Sequence, residues 1–332
     1  MRRDLSIIFL ILLLLISLLF IDIAVAKNED SKYKTTHKIG VLVAGDTRMS
    51  KITGLIYGLY ENGYNKGDFQ IIIKNAKDDK GKLDLLSQEL VNEDVDIIVT
   101  TGAFETLAVK KYAAEKGIPV VFIGVSCAVE LGIVEDKISP GCNVTGVDSN
   151  YVRYSGKRLE FLKRLVPSTK KVLVIFNPLV TPFDPSSKII YEAADKLDID
   201  LVIMPATNGK EIVNLIKSKY NEFDGILLMC NLLLESTIKE VVKASLSYKI
   251  PIIGVTEAQV KKGLLAYYGS TNYSEGFQAA RLVANILDGQ EPENIPIETP
   301  ESLELHINVK TAIDLGIEID YSKMTFVDKF VK

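Results

Sequence analysis

The chain is poor in the residues that build metal sites and catalytic relays. It has two histidines and three cysteines, with no Cys-x-x-Cys pair and no His-rich cluster, so a zinc site has little to draw on. It also lacks the Gly-x-Gly-x-x-Gly and Gly-Lys-Ser/Thr runs that hold phosphates, and the Gly-x-Ser-x-Gly turn that carries a nucleophilic serine. The sequence therefore favours neither a metalloenzyme, a nucleotide-dependent enzyme nor a hydrolase, and no cofactor is expected.

An excess of positive charge is also absent. The sequence has 39 Lys and Arg against 43 Asp and Glu, a net charge of −4, which leaves no basic surplus to bind the phosphates of a nucleic acid. Apolar residues make up 47% and charged residues 25%, values typical of a globular protein. The length of 332 residues suits two ordinary α/β domains or one large one.

The N-terminus has the pattern of an export signal. Arg2 and Arg3 precede an apolar run over residues 5–21, and the small residues Ala24 and Ala26 follow it, so we expect a signal peptide over 1–26 that is cleaved near Ala26. An uncleaved membrane anchor is the alternative, because the run is close to the length that spans a bilayer. A polar, disordered leader is expected over 27–37. The mature protein would then be periplasmic or secreted.

From residue 38 onward, strand and helix patterns alternate. Short apolar runs at 39–43, 69–73, 96–100 and 118–123 are separated by segments with helical apolar spacing. This alternation predicts right-handed crossovers and a parallel sheet. After residue 170 the same order returns at 172–176, 224–228 and 249–254, offset by 128 to 133 residues. The repeat predicts two similar α/β lobes rather than one extended sheet.

The junction between the two lobes is predicted near 143–147, after the turn-forming pair Pro140 and Gly141. Because the C-terminal third does not repeat the pattern, we interpret it as returns of the chain between lobes, with further hinge segments near 264–269 and 300–307. Lobe 1 is predicted to comprise 38–143 and 268–301, and lobe 2 to comprise 148–264 and 306–332. The predicted fold is thus two Rossmann-like lobes joined by a three-segment hinge.

A ligand is expected at the carboxyl ends of the parallel strands, where loops of the two lobes face each other. The loop at Thr101 and Gly102 leads directly into a helix and could hold a carboxylate at its positive end, although spacing alone fits an ordinary N-cap better. Asp46 and Glu257 are acidic groups on opposite lobes, which a solvated surface position would also explain. The candidate ligand-binding residues are Gly45, Asp46, Thr101, Gly102, Ala103, Gly124, Val125, Ser126, Asn177, Asn231, Thr256, Glu257 and Tyr268.

The cysteines raise the question of a disulfide in an exported protein. Cys127 and Cys142 lie at the two ends of the segment before the predicted junction, and a bridge between them is one expectation in an oxidising compartment. The alternative is that these two residues and Cys230 are small buried side chains, which is how free cysteine usually behaves.

Several sequence blocks resemble a known family. They are IPVVFIGV at 118–125, PGCNVTGV at 140–147, GKRLEFLKRLVP at 156–167, VLVIFNP at 172–178 and LHINVKTA at 305–312. Together they resemble the ABC transporter substrate-binding proteins of the tryptophan/tyrosine-binding type, over essentially the whole chain after the signal peptide. The resemblance implies a periplasmic-binding-protein fold of type I, without enzymatic activity, in which two lobes close on a small-molecule ligand.

The resemblance also implies roles and partners. The loop matching 101–103 contacts the ligand carboxylate in relatives that bind aromatic amino acids, and the position of Asn231 usually offers an aspartate to the ligand ammonium. Asn231 is neutral, so Glu257 could take this part if its side chain points inward. The expected ligand is a small polar organic molecule, with tyrosine or tryptophan as candidates. The expected partners are an ABC permease and ATPase; a sensor that signals to a membrane receptor is the alternative.

Overall fold

The computed structural model describes residues 36–179, 181, 183–229, 234, 237–322 and 324–332. The predicted signal peptide, nearly all of the leader, Cys230 and Asn231 lie outside these residues. The strands are β1 (His37–Val43), β2 (Phe69–Asn75), β3 (Ile97–Thr100), β4 (Val120–Val125), β5 (Val144–Asp148), β6 (Lys171–Phe176), β7 (Asp200–Pro205), β8 (Gly225–Leu228), β9 (Ile252–Gly254), β10 (Ala266–Gly269), β11 (Glu304–Asn308) and β12 (Lys329–Val331). The helices are α1 (Met49–Glu61), α2 (Leu83–Val91), α3 (Ala103–Lys116), α4 (Ser155–Leu165), α5 (Phe183–Leu197), α6 (Gly209–Lys219), α7 (Ile238–Ser247), α8 (Glu257–Lys261), α9 (Asn272–Leu287) and α10 (Val309–Leu315).

The first sheet has the strand order β2-β1-β3-β4-β5, with every pair parallel. Its strands are apolar on both faces because helices cover both sides, as parallel sheets require. Val41 and Val43 face a cluster completed by α1 and α9, whereas Leu42 faces α2 and α3. This sheet and its four helices form the first lobe.

The second sheet has the order β12-β11-β10-β9-β8-β6-β7 and is parallel except for the β10–β11 pair. Leu173 and Ile175 pack under α6 and α7, and Val172 and Val174 pack under α4, α5 and α10. This sheet and its helices form the second lobe. The prediction of an α/β fold with two parallel-dominated sheets is confirmed.

The chain passes between the lobes at places that differ from those predicted. Residues 143–147 are not a crossing, because β5 is hydrogen-bonded to β4 as a fully buried edge strand, and the chain leaves the first sheet only after Asp148. Segment 264–269 contains β10, which is paired with β9 and β11 in the second sheet. The chain therefore returns to the first lobe after Gly269, just before α9.

The third crossing also needs correction. Glu298 is still bonded to the first sheet, since its N–H donates to the carbonyl of Gly146 and its carbonyl accepts from the N–H of Asp148. β11, within the predicted segment 300–307, belongs to the second sheet. The crossing consequently lies between Glu298 and Glu304. The leader boundary shifts as well, because His37 already pairs with Phe69 in β1.

The close pairing of α1 and α9 depends on a small residue at the contact. A Cβ placed on Gly54 of α1 would lie 2.1 Å from the carbonyl oxygen of Tyr273 in α9, far inside any normal contact distance. Because the helices approach this closely, their apolar faces fill the cluster beneath β1, with Leu55 and Val283 fully buried. Among the residues that the structure describes, none of the helices combines the length and apolar character of a bilayer span.

Candidate functional site

The candidate site lies where the carboxyl ends of the two sheets face each other. Phe104, in the first turn of α3, packs against the hydrophobic cluster of the second lobe as well as that of its own. The N–H of Tyr151, just beyond the first crossing, donates to Ser126 Oγ at 2.9 Å at the end of β4. These contacts join the strand ends of both lobes, and ligands of open α/β sheets bind outside such ends.

The loop from Thr101 to Ala103 connects β3 to α3, as predicted. Gly102 is the extended N-cap residue of α3 and supplies no capping side chain, so the first N–H groups of this helix have no side-chain cap at that position. The Thr101 hydroxyl donates to Glu105 Oε1 at 2.7 Å. The hydroxyl that was predicted to donate to a ligand carboxylate therefore already donates to a carboxylate of the protein.

Glu105 also forms a buried ion pair that the sequence did not reveal. Its Oε1 lies 2.8 Å from Arg48 Nη1 and accepts the N–H of Ala44 at 2.9 Å. Arg48 in turn donates to the carbonyl of Thr101. The Arg48–Glu105 pair thereby ties the loop after β1 to the loop after β3. Charged residues in a loop and a helical first turn usually indicate solvent exposure, so the sequence held no signal for this pair.

A second buried ion pair lies at the end of β4. Lys51 Nζ is 2.9 Å from Glu275 Oε2 and also donates to the carbonyl of Ile123 at 2.9 Å. Both charged side chains are almost fully buried, at 2% and 0% exposure. Gly124 leaves room for them: its φ is +79°, and a Cβ there would lie 2.1 Å from Lys51 Nζ. Gly124 was predicted as a ligand contact, and the structure shows it beside this pair.

Glu257 begins α8 at the carboxyl end of β9, where Thr256 is the N-cap residue. Its Oε1 accepts the N–H of Asn272 at 3.1 Å, a bond that joins the second lobe to the start of α9. Its Oε2 is buried and has no hydrogen-bond donor within the described part of the chain. Burial raises the pKa of this carboxyl, and the nearby charge of Glu275 adds to the rise.

Two tyrosines complete the surroundings of Glu257. Burial raises the pKa of Tyr151 and of Tyr267, and in both cases the charges of Glu275 and Glu257 contribute to the rise. The hydroxyl of Tyr267 is buried, and no partner for it lies in the described ranges. Neither Tyr151 nor Tyr267 was among the candidate ligand-binding residues predicted from the sequence.

Asn177 ends β6 in the second lobe and is fully buried. Its Oδ1 accepts the N–H of Leu179 at 3.0 Å, whereas its Nδ2 has no acceptor among the residues with described positions. The hydroxyl of Thr181, which is also fully buried, likewise has no hydrogen-bond partner among the described residues. Asn177 is therefore a polar strand end with unused hydrogen-bonding capacity, as expected of a ligand contact.

Several predicted site residues lie elsewhere. Asp46 is 69% exposed at its side chain and pairs with Lys77 at 2.8 Å; the hydrogen bond from Lys77 lowers the pKa of its carboxyl. Gly45, next to it, accepts the N–H of Arg48 through its carbonyl. Val125 is fully buried in the core under α2 and α3. Gly45 and Val125 are thus engaged within the first lobe, and the side chain of Asp46 is turned to solvent.

Tyr268 also needs correction. Its ring packs on Phe161 at 5.0 Å and on Tyr154 at 6.1 Å, so it lies against α4 on the outer face of the second sheet. Side chains alternate along a strand, and Tyr267 therefore points to the opposite face, where it contacts His306 at 4.9 Å. The two neighbouring tyrosines thus lie on opposite faces of the second sheet, which only the register of β10 could show.

The predicted disulfide is not formed. Cys127 and Cys142 are not bonded to each other. Cys142 packs into the first lobe's cluster under α3, whereas Cys127 packs against the second lobe's cluster under α4. The two side chains thus contact different cores, and each is only partly buried.

Comparisons with known proteins agree with this architecture. The family model described as ABC transporter substrate binding protein matches residues 38–326. A protein of Clostridioides difficile named as a tyrosine-binding protein is 30% identical over 292 residues, which cover 87% of this chain and 84% of that protein. The chain therefore belongs to the ABC transporter substrate-binding family, whose members bind small molecules outside the cytoplasm and are not enzymes.

Solved structures show the same fold. A complex with L-Trp from Streptococcus pneumonia superposes with a TM-score of 0.80 at 23% identity and covers 90% of this chain and 100% of its own. A ligand-free, open substrate-binding protein from Clostridium difficile gives 0.67 at 24% identity, covering 90% and 99%. At these identities the likeness concerns the fold alone.

Proposed function

We propose that this protein is the extracytoplasmic solute-binding subunit of an ABC importer, and that it binds an α-amino acid with an aromatic side chain, such as tyrosine or tryptophan. In this proposal the signal peptide is cleaved near Ala26, and the mature protein delivers its ligand to a permease driven by an ATPase. The curated relative's name and the L-Trp complex support an aromatic amino acid.

The proposal of a polar ligand rests on the unsatisfied polar atoms at the strand ends of the second lobe. Asn177 Nδ2 and Glu257 Oε2 are both buried, and neither has a partner within the described residues. Leaving a buried polar group unpaired costs about 1 to 3 kcal/mol, and more for a charged one. A polar ligand between the lobes would satisfy them, which would make its binding favourable.

The three crossings support closure of the lobes around the ligand. Short segments after Asp148, after Gly269 and between Glu298 and Glu304 connect otherwise separate sheets. Hinge closure of two lobes over a ligand is a common transition in binding proteins, and hinge residues are a few positions at the ends of elements. The N–H of Asn272 bonded to Glu257 lies at one of these segments, so ligand contact and closure would be coupled there.

Isothermal titration calorimetry on the mature protein tests the ligand class. We expect saturable binding of tyrosine or tryptophan and no heat with myo-inositol, a neutral polyol of similar size. Binding of the polyol without binding of any amino acid would contradict the proposal. The importer role is tested separately by uptake of the labelled ligand in cells with and without the gene; equal uptake would refute that role.

A further inference from the structure

One carboxylate buried at the strand ends belongs to no ion pair formed by the described residues. Two cations are each engaged by a carboxylate: Arg48 with Glu105 and Lys51 with Glu275. Glu257 is the additional carboxylate, only 7% exposed, and none of the ion pairs formed by the described residues includes it. A third cation, Arg158, is fully buried and donates to the carbonyl of Tyr151, so Glu257 stands out as a carboxylate outside these ion pairs and not through the total charge.

The position of Glu257 indicates what could compensate its charge. Its Oε1 is fixed by the N–H of Asn272, and this bond orients the carboxylate so that Oε2 is left without a donor in the described structure. Tyr267 is paired in β10 with Gly254 of β9, three residues before Glu257, and its hydroxyl is also buried and unpartnered within the described residues. An ammonium group offers three donors and a positive charge, which matches one carboxylate oxygen and one hydroxyl oxygen.

We propose that Glu257 binds the ammonium group of the ligand, with the Tyr267 hydroxyl oxygen as a second acceptor, and that the protein is therefore selective for ligands with a primary amine. This inference rests on the proposed function, because it assigns one contact within the same site. Lys51 and Arg48 cannot replace the ligand ammonium, since both are held by other carboxylates and by backbone carbonyls. An ammonium-free analogue would leave the carboxylate oxygen buried and unpaired, which disfavours its binding.

The test is calorimetry with tyrosine and with its analogue that lacks the amino group, 3-(4-hydroxyphenyl)propionate. We expect the wild-type protein to bind tyrosine at least tenfold more tightly than the analogue. Glu257→Gln keeps the length of the side chain and an oxygen for the Asn272 bond but removes the charge. We expect this variant to bind tyrosine roughly 10- to 100-fold more weakly, the usual loss for a hydrogen bond to a charged group, and to lose most of its preference over the analogue.

Two controls make the result specific. Glu222→Gln removes a carboxylate from an exposed pair with Lys219, far from the strand ends, and should leave both affinities unchanged. The ligand-free Glu257→Gln protein should melt no lower than the wild type, because a buried unpaired carboxylate is replaced by a neutral amide. A melting temperature well below the wild type would show that Glu257 holds the fold rather than the ligand.

The outcomes separate the two proposals. If the wild type binds tyrosine and Glu257→Gln binds it equally well, or if the wild type does not distinguish tyrosine from its analogue, the role of Glu257 is refuted and the proposed function stands. If the wild type binds neither tyrosine, tryptophan nor any other amino acid, the proposed ligand class fails, and the role of Glu257 fails with it.

Discussion

The buried Lys51–Glu275 pair makes a sharp prediction about stability. Lys51 on α1 and Glu275 on α9 meet at 2.9 Å with almost no solvent contact, directly beside Gly124. Glu275→Gln removes the negative charge while keeping an oxygen that can accept from Ser270, whose hydroxyl donates to Glu275 Oε1 at 2.5 Å. The substitution therefore tests the charge rather than the shape of the side chain.

The expected loss of stability depends on the hydrogen bonds that Lys51 keeps in the Glu275→Gln variant. Removing one partner of a buried ion pair costs about 3 to 5 kcal/mol, because the other charge stays buried without compensation. Lys51 retains the carbonyls of Ile123 and Thr101 as acceptors, at 2.9 and 3.2 Å, so we expect the lower end, about 3 kcal/mol. For a protein of this size that loss lowers the melting temperature by about 6 to 12 °C.

Thermal unfolding followed by circular dichroism measures the effect, with Glu222→Gln as the matched control. Glu222 pairs with Lys219 at 3.1 Å on the surface, and exposed pairs contribute about 1 kcal/mol or less. Replacing both buried partners by apolar residues, Lys51→Met with Glu275→Leu, should recover part of the loss. Equal melting temperatures for Glu275→Gln and Glu222→Gln would refute the reasoning.

Two other predictions concern helix packing and the thiols. Gly54→Ala should lower the melting temperature, because a methyl 2.1 Å from the carbonyl oxygen of Tyr273 forces α1 and α9 apart, and this cost exceeds the gain of about 1 kcal/mol in helix propensity. The control Gly67→Ala places its new Cβ with no atom within 4 Å and should have little effect on stability. A Gly54→Ala protein more stable than the wild type would contradict the prediction. Because Cys127 and Cys142 are not bonded to each other, peptide mass mapping after alkylation in denaturant without reductant should show no peptide pair linked through these two residues. Finding such a linked pair would contradict the structure.

The fold was readable from sequence because its signals are local and repeated. Buried parallel strands leave continuous apolar runs, and the second set of runs repeats the order of the first. The crossings were misplaced because β5 and a connecting segment look alike in composition. What distinguishes β5 is its pairing with β4 and the bonds of Gly146 and Asp148 to Glu298, which is 150 residues away from Asp148. Pairing between residues this far apart in sequence cannot be recognised from the residues of a short segment alone.

The site was predicted to a smaller extent, for a related reason. Loops at strand ends are identifiable by counting strands, and Asn177 and Glu257 were selected as candidates in that way. Lys51 and Glu275 lie on helices whose charged residues normally face water, so their burial arises only when α9 packs beside α1. The choice between Tyr267 and Tyr268 depends on which face of the second sheet α4 covers, and sequence alternation cannot decide it.

The late position of α9 in the sequence limits when the first lobe can be completed during synthesis. The cluster beneath β1 is completed by Ala279, Val283 and Ile295, which follow the whole central part of the second lobe in the sequence. During synthesis, residues 37–148 therefore emerge with one face of their sheet covered only by α1, and the first lobe stays incomplete until the chain has passed residue 295. The second lobe also depends on late residues, since β11, α10 and β12 lie after α9 in the sequence. Neither lobe can therefore be completed until nearly the whole chain has been made.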